Sequence, residues 1–343
     1  MPKIRERLEK EKISFELKPT QKALDPLNFA MTLDIDKYSV MIALGGDGTV
    51  HEVVNGMLMR SDKKRIPVAF LPNGSGDDFC SALGIMNMDD ALNYICKGET
   101  IKVDTVRVLL DHQSEDTLPE GMARYDFCRH MMINSGCAMP PLVSVKAKPY
   151  KQCCGKSSYT IATILEACKG NLVSDNFEVI IDGVQVGSPE QEHSTICLMA
   201  FNGKFTGGGM MMCPYACVND GIVDITWTAD PAVNSLTGVA NAMDKAKMGG
   251  VQVYDHHSVY MRGKQMIVKF KGKQVKRPPQ QYGSQLFGCD GEDLTYNTSV
   301  QWDAIKGSVE VCFDSDFYFK EYQWFTESDS KAAAKEEIID KSA

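Results

Sequence analysis

A glycine-rich segment between a predicted strand and a predicted helix carries the clearest chemical signal in this chain. The strand is predicted over residues 39–44, and apolar residues at helical spacing predict a helix over residues 50–58. Such a junction points backbone N–H groups and a helix N-terminus at one place, where an anion is favoured. The segment therefore predicts a phosphate site, although glycines also form ordinary turns. Its residues are Gly45, Gly46, Asp47, Gly48 and Thr49.

A second strand, glycine-rich loop and helix follow directly. The strand is predicted over residues 66–72, and the helical pattern resumes at Phe79. Two such units within about forty residues predict a parallel sheet whose loops gather at one edge, the usual ligand side. Neither loop has the spacing of a P-loop or of a dinucleotide-binding loop. The second loop consists of Asn73, Gly74, Ser75, Gly76, Asp77 and Asp78.

Both loops resemble the nucleotide motifs of a lipid kinase superfamily that includes diacylglycerol, sphingosine and ceramide kinases. Residues 45–56 resemble the first motif, and residues 71–79 resemble the second. Further along, residues 202–210 resemble a glycine motif of the second domain, and residues 220–224 resemble its aspartate-glycine turn. Residues 289–292 resemble the closing aspartate-glycine-glutamate motif. On these ordered motifs the chain is identified as a member of the superfamily.

The resemblance implies an α/β nucleotide domain like those of phosphofructokinases and NAD kinases, followed by a β-sandwich-like lipid domain. The residues agree with this fold class, because short β-type runs replace most helices after Asp104. Strands are predicted over 177–181, 195–201 and 266–270, and helices over 159–168 and 233–248. We expect three parts: a nucleotide domain over 1–105, a lipid domain over 106–314, and a C-terminal segment with a polar tail over 315–343.

Phosphoryl transfer needs positioned phosphates, a cation that neutralises developing charge, and a carboxylate near the attacking hydroxyl. The resemblance implies ATP and Mg²⁺ as cofactors. It makes Asp290 the general base that accepts the lipid hydroxyl proton, and it gives Glu292 a role in holding the cation or the nucleotide. An ordinary surface turn is the alternative for these residues.

The resemblance also implies two cation sites. Asp47, Asp78 and Asp104 match the acids that the family places around the phosphates and a magnesium-linked water network. Few carboxylates are needed there, because Mg²⁺ keeps several of its waters. The second site is a structural one, and it consists of the Asp220 carboxylate and the backbone carbonyls of Cys217 and Ile222. The alternative there is a plain Asn-Asp-Gly turn without an ion.

The chain departs from the family pattern at three places. Asp77 stands where relatives usually have asparagine, which adds a negative charge near the expected phosphates and removes an amide donor. The chain begins with a helical pattern over residues 1–10, without the hydrophobic first strand of the family, so we expect either that this sequence is cut short or that the protein has lost part of its active site. No acid occurs between Asp126 and Glu166, where sphingosine kinases place an aspartate for the amino-alcohol head. A neutral acylglycerol or a ceramide-like lipid is therefore expected rather than sphingosine.

Two classes of function follow. The first is an ATP- and Mg²⁺-dependent lipid kinase that acts on its lipid substrate at a membrane surface. The second, favoured by the missing strand and by Asp77, is a lipid-kinase-like pseudoenzyme that serves as a structural or lipid-binding subunit. In the second case we expect a protein partner to cover the N-terminal helix over 3–12 or the exposed sheet, and also to order the tail over 326–343. The reason is that unpaired sheet groups must be satisfied or protected.

Composition and charge limit the classes of partner and the cellular compartments that we expect. A net charge of −8 argues against nucleic acid as a partner. The sequence contains no apolar run of about eighteen residues, the length that spans a membrane. Twelve cysteines without a signal peptide indicate a reducing compartment. The expected location is cytoplasmic or peripheral to a membrane, with a mitochondrial location as the alternative.

Overall fold

The computed structural model describes residues 2–155, 157–169, 175–186, 193–228, 235–250, 258–271 and 285–321. Its helices are α1 (Pro2–Lys10), α2 (Asp25–Thr32), α3 (Asp47–Leu58), α4 (Asp78–Ala82), α5 (Met88–Lys97), α6 (Met139–Ala147), α7 (Lys151–Cys154), α8 (Ser157–Cys168), α9 (Leu236–Lys247) and α10 (Ser315–Glu321). Short 3₁₀ turns lie at Glu115–Thr117, Gly121–Asp126 and Lys148–Tyr150.

The strands outnumber the helices. They are β1 (Met41–Gly45), β2 (Val68–Pro72), β3 (Glu99–Leu110), β4 (Cys128–Met131), β5 (Asn134–Ala138), β6 (Asp175–Ile181), β7 (Val184–Gln185), β8 (His193–Thr195), β9 (Cys197–Phe201), β10 (Phe205–Thr206), β11 (Met210–Met211), β12 (Val223–Thr228), β13 (Ser258–Gly263), β14 (Gln265–Phe270), β15 (Gln285–Cys289), β16 (Glu292–Tyr296) and β17 (Ser299–Phe313).

The first domain is built on the two strand, loop and helix units. β1 and β2 pair in parallel, with Met41 opposite Val68 and Gly45 opposite Pro72. Both glycine loops therefore leave the same edge of the sheet. α3 begins at Asp47, directly after β1, and its apolar face packs in a core shared with β2 and α5.

Two long strands join the domains. β3 and β17 pair antiparallel, with a register shift between Ile305 and Val309. Beyond that shift β17 pairs in parallel with β2 at Val311, and Val309 and Val311 lie in the first core. The boundary expected after residue 105 thus falls inside β3, and the end of β17 belongs to the first domain. The segment expected from residue 315 begins as α10, whose Tyr318 is buried in that same core.

The second domain is a β-sandwich. One of its sheets continues into the first domain through β1 and β2. The nine described strands of this sheet follow the main path β1-β2-β17-β14-β6-β7, with β3, β4 and β8 paired beside it. The other has six strands in the order β13-β12-β9-β5-β15-β16. Val268 and Trp302 from the first sheet meet Trp227 and Phe287 from the second in one buried core. The predicted fold class, an α/β domain followed by a β-rich sandwich, is confirmed.

The N-terminal helix packs on its own domain. Ile4 and Leu8 are buried in the first core, and Lys3 pairs with Asp89 of α5. The face of this helix that carries Ile4 and Leu8 is therefore covered from within the chain. Among the described strands β1 pairs with β2 alone, so it forms a sheet edge. The tail expected over 326–343 lies outside the described residues.

None of the helices that the structure describes has the length and apolar character needed to cross a membrane.

Candidate active site

A cavity of about 400 Å³ lies where the two glycine loops face the turn between β15 and β16. The loops belong to the first domain and the turn belongs to the sandwich. The cavity thus brings together motifs that are more than two hundred positions apart in the chain. From the predicted site it is lined by Gly46, Asp47, Gly48, Gly74, Ser75, Gly76, Asp78, Asp290, Gly291 and Glu292.

The two glycine loops contact each other through backbone atoms. A Cβ atom on Gly46 would lie 2.8 Å from Gly74 Cα, and one on Gly74 would lie 2.5 Å from Gly46 Cα. Glycine at both positions lets the backbone itself form the cavity wall. The remaining predicted loop residues support this wall without lining the cavity: Asn73 N–H donates to Gly45 O at 3.1 Å, and a Cβ on Gly45 would lie 2.2 Å from Thr49 Oγ1.

Two carboxylates border the second loop at Gly76. A Cβ atom on Gly76 would lie 2.6 Å from Asp47 Oδ2 and 3.2 Å from Asp78 Oδ2. Burial, followed by the charge of Asp78, raises the pKa of Asp47 to about 7. Asp78 Oδ1 accepts hydrogen bonds from the N–H groups of Gly208 and Gly209 at 3.1 and 2.9 Å. Two neighbouring buried carboxylates favour a bound cation, because the cation offsets their repulsion.

The Asp290 carboxylate is buried and holds four hydrogen bonds. Oδ1 accepts from the N–H groups of Ile133 and Asn134 at 2.9 and 3.1 Å. Oδ2 accepts from Met132 N–H at 2.8 Å and from His51 Nδ1 at 2.9 Å. Neither side chain of the His51 and Asp290 pair has exposed surface. These bonds fasten the β15–β16 turn to α3 and to the connection between β4 and β5.

His51 lies within the first motif, residues 45–56, but the resemblance gives it no role in the site. It lies one turn after Asp47 on α3, and its Nε2 has no hydrogen-bond partner among the described residues. Positions four apart on a helix share a face. That spacing from Asp47 is the one signal in the sequence that could place His51 beside the phosphate loop.

Glu292 lies on the same turn in a different environment. A Cβ atom on Gly48 would lie 3.1 Å from Glu292 Oε1, so this carboxylate reaches the first glycine loop. Glu292 lines the cavity, and no group in the described part of the chain donates a hydrogen bond to its carboxylate. Of the two acids on this turn, Glu292 is the one with open acceptor atoms.

Asp77 forms hydrogen bonds within its own loop through its side chain. Its carboxylate accepts from Gly74 N–H, at 2.9 Å to Oδ1 and 3.1 Å to Oδ2. Its backbone is left-handed, with φ of 54°. Burial and Asp78 raise the pKa of Asp47 most, and the charge of Asp77 adds to them. The expectation that Asp77 brings extra negative charge to the phosphate loops agrees with this position.

Asp104 lies away from the cavity, and the structure corrects its expected place at the phosphates. Oδ2 accepts from Gly221 N–H at 2.5 Å, and Oδ1 accepts from Gly307 N–H at 2.7 Å. Asp104 is fully buried and does not line the cavity. β3 carries it between two tight turns, so its carboxylate satisfies turn amides rather than a magnesium ion.

Asp220 pairs with an arginine, and this corrects the predicted structural cation site. Arg262 Nη2 donates to Asp220 Oδ2 at 2.5 Å, and Arg262 Nε donates to Asp224 Oδ1 at 2.8 Å. Ile222 contributes its N–H to Asp220 Oδ1 at 3.0 Å. Cys217 lies nearby, where burial and then Asp220 raise the pKa of its thiol to about 12. A guanidinium therefore neutralises the Asp220 carboxylate, which the sequence assigns to a metal ion, together with that of Asp224.

Most of the other lining residues are apolar. Lys151 is the one basic residue among the described residues that line the cavity, and its Nζ lies 5.2 Å from the ring centroid of Tyr159. A ligand in this cavity would place an apolar body here and its polar groups at the loops. The apolar lining includes Met139, Val143, Ile196, Met199, Trp227, Val239 and Met243.

Two protein-family profiles match the chain in the order of its domains. The diacylglycerol kinase catalytic domain matches residues 1–108, and the YegS C-terminal NAD kinase beta sandwich-like domain matches residues 137–306. Together they take in most of the chain. The chain therefore belongs to the diacylglycerol kinase-like family of lipid kinases, as its motifs predict.

Curated relatives are bacterial proteins named "Probable lipid kinase YegS-like". The protein of Pectobacterium atrosepticum is 26% identical over 189 residues, which are 54% of this chain and 55% of the relative. The protein of Shewanella frigidimarina is 24% identical over 220 residues, which are 62% of each. The chain thus spans less than two thirds of the length of these relatives.

Solved structures share the fold over a longer stretch. A "putative diacylglycerol kinase" from Bacillus anthracis str. Sterne has a TM-score of 0.65 and 20% identity, and the match covers 92% of this chain and 91% of that one. A diacylglycerol kinase structure from the same organism has a TM-score of 0.56 and 16% identity, covering 87% and 84%. At these identities the likeness shows the fold.

Proposed function

We propose that this protein is a kinase that transfers the terminal phosphoryl group of ATP to the hydroxyl of a diacylglycerol- or ceramide-like lipid. The observation that carries the proposal is one cavity bordered by both glycine loops, the Asp290–Glu292 turn and an apolar lining. A donor and an acceptor held in one cavity react as if at very high concentration. Family membership supports the same reaction class.

The glycine loops suit the phosphates of ATP. Gly46 precedes α3, a helix of 12 residues, and residues 46–48 line the cavity. Phosphate at this helix N-terminus is favoured by free N–H groups and by the helix dipole. Gly46 and Gly74 themselves put no side chain between a phosphate and the loop backbone.

Asp47 and Asp78 fit a magnesium ion. Both carboxylates border Gly76, and burial raises the pKa of Asp47. Hard oxygen ligands of this kind are the ones that Mg²⁺ takes. When bound, Mg²⁺ supplies charge neutralisation to the phosphates during transfer. Asp104 and Asp220 do not belong to this set, because neither lines the cavity and Arg262 already pairs with Asp220.

The cavity favours a lipid with an uncharged head. Its carboxylates belong to the glycine loops and to the β15–β16 turn, whereas the apolar lining contributes hydroxyl groups and Lys151. Outside the loops and that turn, no carboxylate among the described lining residues could pair with a cationic amino-alcohol head. The hydroxyl-bearing side chains outside the loops are Ser144, Tyr159, Thr163, Thr206, Thr226, Thr228 and Ser258.

Phosphoryl transfer in mixed micelles tests the proposal. The purified chain, given ATP labelled on its terminal phosphate and Mg²⁺, is expected to phosphorylate diacylglycerol or ceramide faster than sphingosine. Labelled lipid is separated by extraction and counted. If ATP binds while neither neutral lipid acquires label, the kinase proposal fails and a lipid-binding or structural subunit becomes the better account.

Magnesium is expected to stabilise the wild-type protein even without ATP. A concentration about tenfold above the Kd adds about 1.4 kcal/mol to the unfolding free energy. Asp47→Asn should abolish this gain, and without Mg²⁺ it should be no less stable than wild type, because it removes a charge that repels Asp78. Scanning fluorimetry with and without Mg²⁺ measures both effects.

Asp36→Asn is the matched control for this prediction. The Asp36 side chain is 80% exposed and pairs with Lys64 at the surface. It should keep the wild-type response to Mg²⁺. An unchanged magnesium response in Asp47→Asn would remove Asp47 from the cation site.

A further inference from the structure

We propose that Glu292 accepts the proton of the lipid hydroxyl, and that Asp290 and His51 position the turn that carries Glu292. This inference rests on the proposed kinase function. It reverses the roles that the family resemblance implies for the two acids of the turn. The hydrogen bonds of Asp290 and the open carboxylate of Glu292 carry it.

The acceptor capacity of Asp290 is already used. An ionised carboxylate offers about four lone-pair sites, and Asp290 receives four hydrogen bonds. Three come from backbone N–H groups, which cannot turn away unless the connection between β4 and β5 moves. The fourth comes from His51, which is fully buried. A lipid hydroxyl that approached Asp290 would have to displace one of these donors and leave it unsatisfied.

The same four bonds make Asp290 an anchor for its turn. Cys289 pairs with Glu292 across the hairpin, so Asp290 and Gly291 form a two-residue turn. Their φ values are 50° and 87°, as a type I′ turn requires. A non-glycine residue holds this left-handed conformation at a cost, which the surrounding bonds offset. Fixing Asp290 therefore fixes the start of β16, where Glu292 lies.

Glu292 is placed where a base is needed. Its Oε1 lies beside Gly48 of the first glycine loop, and its carboxylate lines the cavity without a donor from any described residue. A hydroxyl between the apolar lining and the phosphate loop can thus donate to it directly. Two other carboxylates lie in this region. Asp47 faces Asp78 at Gly76 and fits the cation instead. Glu52 has its pKa raised by burial and by the charge of Glu292, but it does not line the cavity.

The proton and the bonds balance in one transfer. The lipid oxygen bonds to the terminal phosphorus of ATP while its proton moves to a Glu292 carboxylate oxygen. The bond from that phosphorus to the bridging oxygen breaks, and its electron pair leaves with ADP. Glu292 then gives its proton to water.

Paired amide substitutions on the turn separate the two roles. Glu292→Gln is expected to lower kcat by about a hundredfold or more, with the unfolding temperature and the Kd for ATP near wild type. Its pH–rate profile should lose the acid limb. Glu292→Asp should keep part of the rate, because it retains a carboxylate one methylene away. Turnover is measured with diacylglycerol in mixed micelles, and ATP binding is measured by calorimetry.

Asp290→Asn is expected to lower the unfolding temperature, because its amide nitrogen would face backbone N–H donors. The kcat of the folded fraction of Asp290→Asn should fall less than the kcat of Glu292→Gln. The pH–rate profile of Asp290→Asn should keep its acid limb. Wild-type kcat in Glu292→Gln overturns the inference, as does an inactive Asp290→Asn with wild-type stability. Recovery of Glu292→Gln in excess Mg²⁺ also overturns it, because Glu292 would then be a cation ligand.

The wild-type protein distinguishes failure of this inference from failure of the proposed function. A wild type that binds ATP but phosphorylates no lipid refutes the kinase proposal and this inference with it. An active wild type with the opposite order of the two variants refutes the inference alone. If Glu292→Gln proves less stable, the rate and pH profile of Glu292→Asp decide on the same criteria.

Discussion

Gly46→Ala is expected to weaken ATP binding by about tenfold or more. The added Cβ atom would lie 2.8 Å from Gly74 Cα, so the two glycine loops would have to separate. Overpacking of this kind costs about 1–3 kcal/mol, and about 1.4 kcal/mol corresponds to a tenfold change in Kd. Gly46→Asp should abolish binding, because it also puts a negative charge into the phosphate space. Calorimetric titration with ATP and Mg²⁺ measures the loss.

Gly98→Ala controls for a general effect of replacing glycine. Gly98 ends α5 with φ of 73°, and an added Cβ atom would meet nothing within 4 Å. Alanine there strains the backbone and should lower the unfolding free energy by about 1 kcal/mol or more, with no effect on the Kd for ATP. Gly74→Ala should reproduce the defect of Gly46→Ala from the other loop. Wild-type affinity in both loop variants would mean that the phosphates bind elsewhere.

The local parts of the fold could be predicted from the sequence. Strand, glycine turn and helix follow one another within a few residues at Gly45–Thr49, and backbone preferences alone decide such a junction. For the same reason β6, β9 and β14 form where short β-type runs predict them. The close contact of the two loops follows from the parallel pairing of β1 with β2.

Contacts between distant residues could not be predicted in this way. His51 and Asp290 are 239 positions apart, and nothing near either residue reveals the other. The sequence of the Asp220 turn predicts a cation site. The pairing of β13 with β12, however, brings Arg262 to Asp220, and no local pattern predicts that contact. Asp104 resembles a phosphate-site acid, but the pairing of β3 with β17 carries it to a different turn.

The limit of prediction from the sequence is clearest at the Asp290–Glu292 turn. The motif places two acids two residues apart and does not distinguish their surroundings. The donors that occupy Asp290 come from residues 132–134 and from α3, which the tertiary fold brings together. The sequence could therefore locate the reactive turn, whereas the assignment of each acid depends on the packing around it.

Arg262→Met is expected to lower the unfolding free energy by about 3–5 kcal/mol, because it leaves two buried carboxylates without their cation. The Arg262 side chain is 5% exposed, and those of Asp220 and Asp224 are 3% and 0% exposed. Tyr260 O–H still donates to Asp224 Oδ1, but Asp224 Oδ2 has no partner among the described residues. Urea unfolding followed by tryptophan fluorescence measures the loss, since Trp227 lies on the same strand as Asp224.

The loss of unfolding free energy in Arg262→Met should grow as the pH rises. Burial, followed by the charge of Asp224, raises the pKa of Asp220 to about 7 even with Arg262 present. When folding raises the pKa of a carboxyl group, the unfolding free energy of the protein falls as the pH rises from the unfolded-state pKa through the folded-state pKa. Removing the guanidinium raises that folded value further, so Arg262→Met should be weaker at pH 8 than at pH 5.5.

Two further variants show whether charge is the cause. Lys264→Met removes a positive charge from an exposed position two residues along and should leave stability near wild type. Adding Asp220→Asn and Asp224→Asn to Arg262→Met removes the uncompensated charges, so most of the lost stability should return, because buried amides cost far less than unpaired ions. If the triple variant stays as unstable as Arg262→Met at every pH, packing of the arginine stem rather than charge holds this part of the sandwich together.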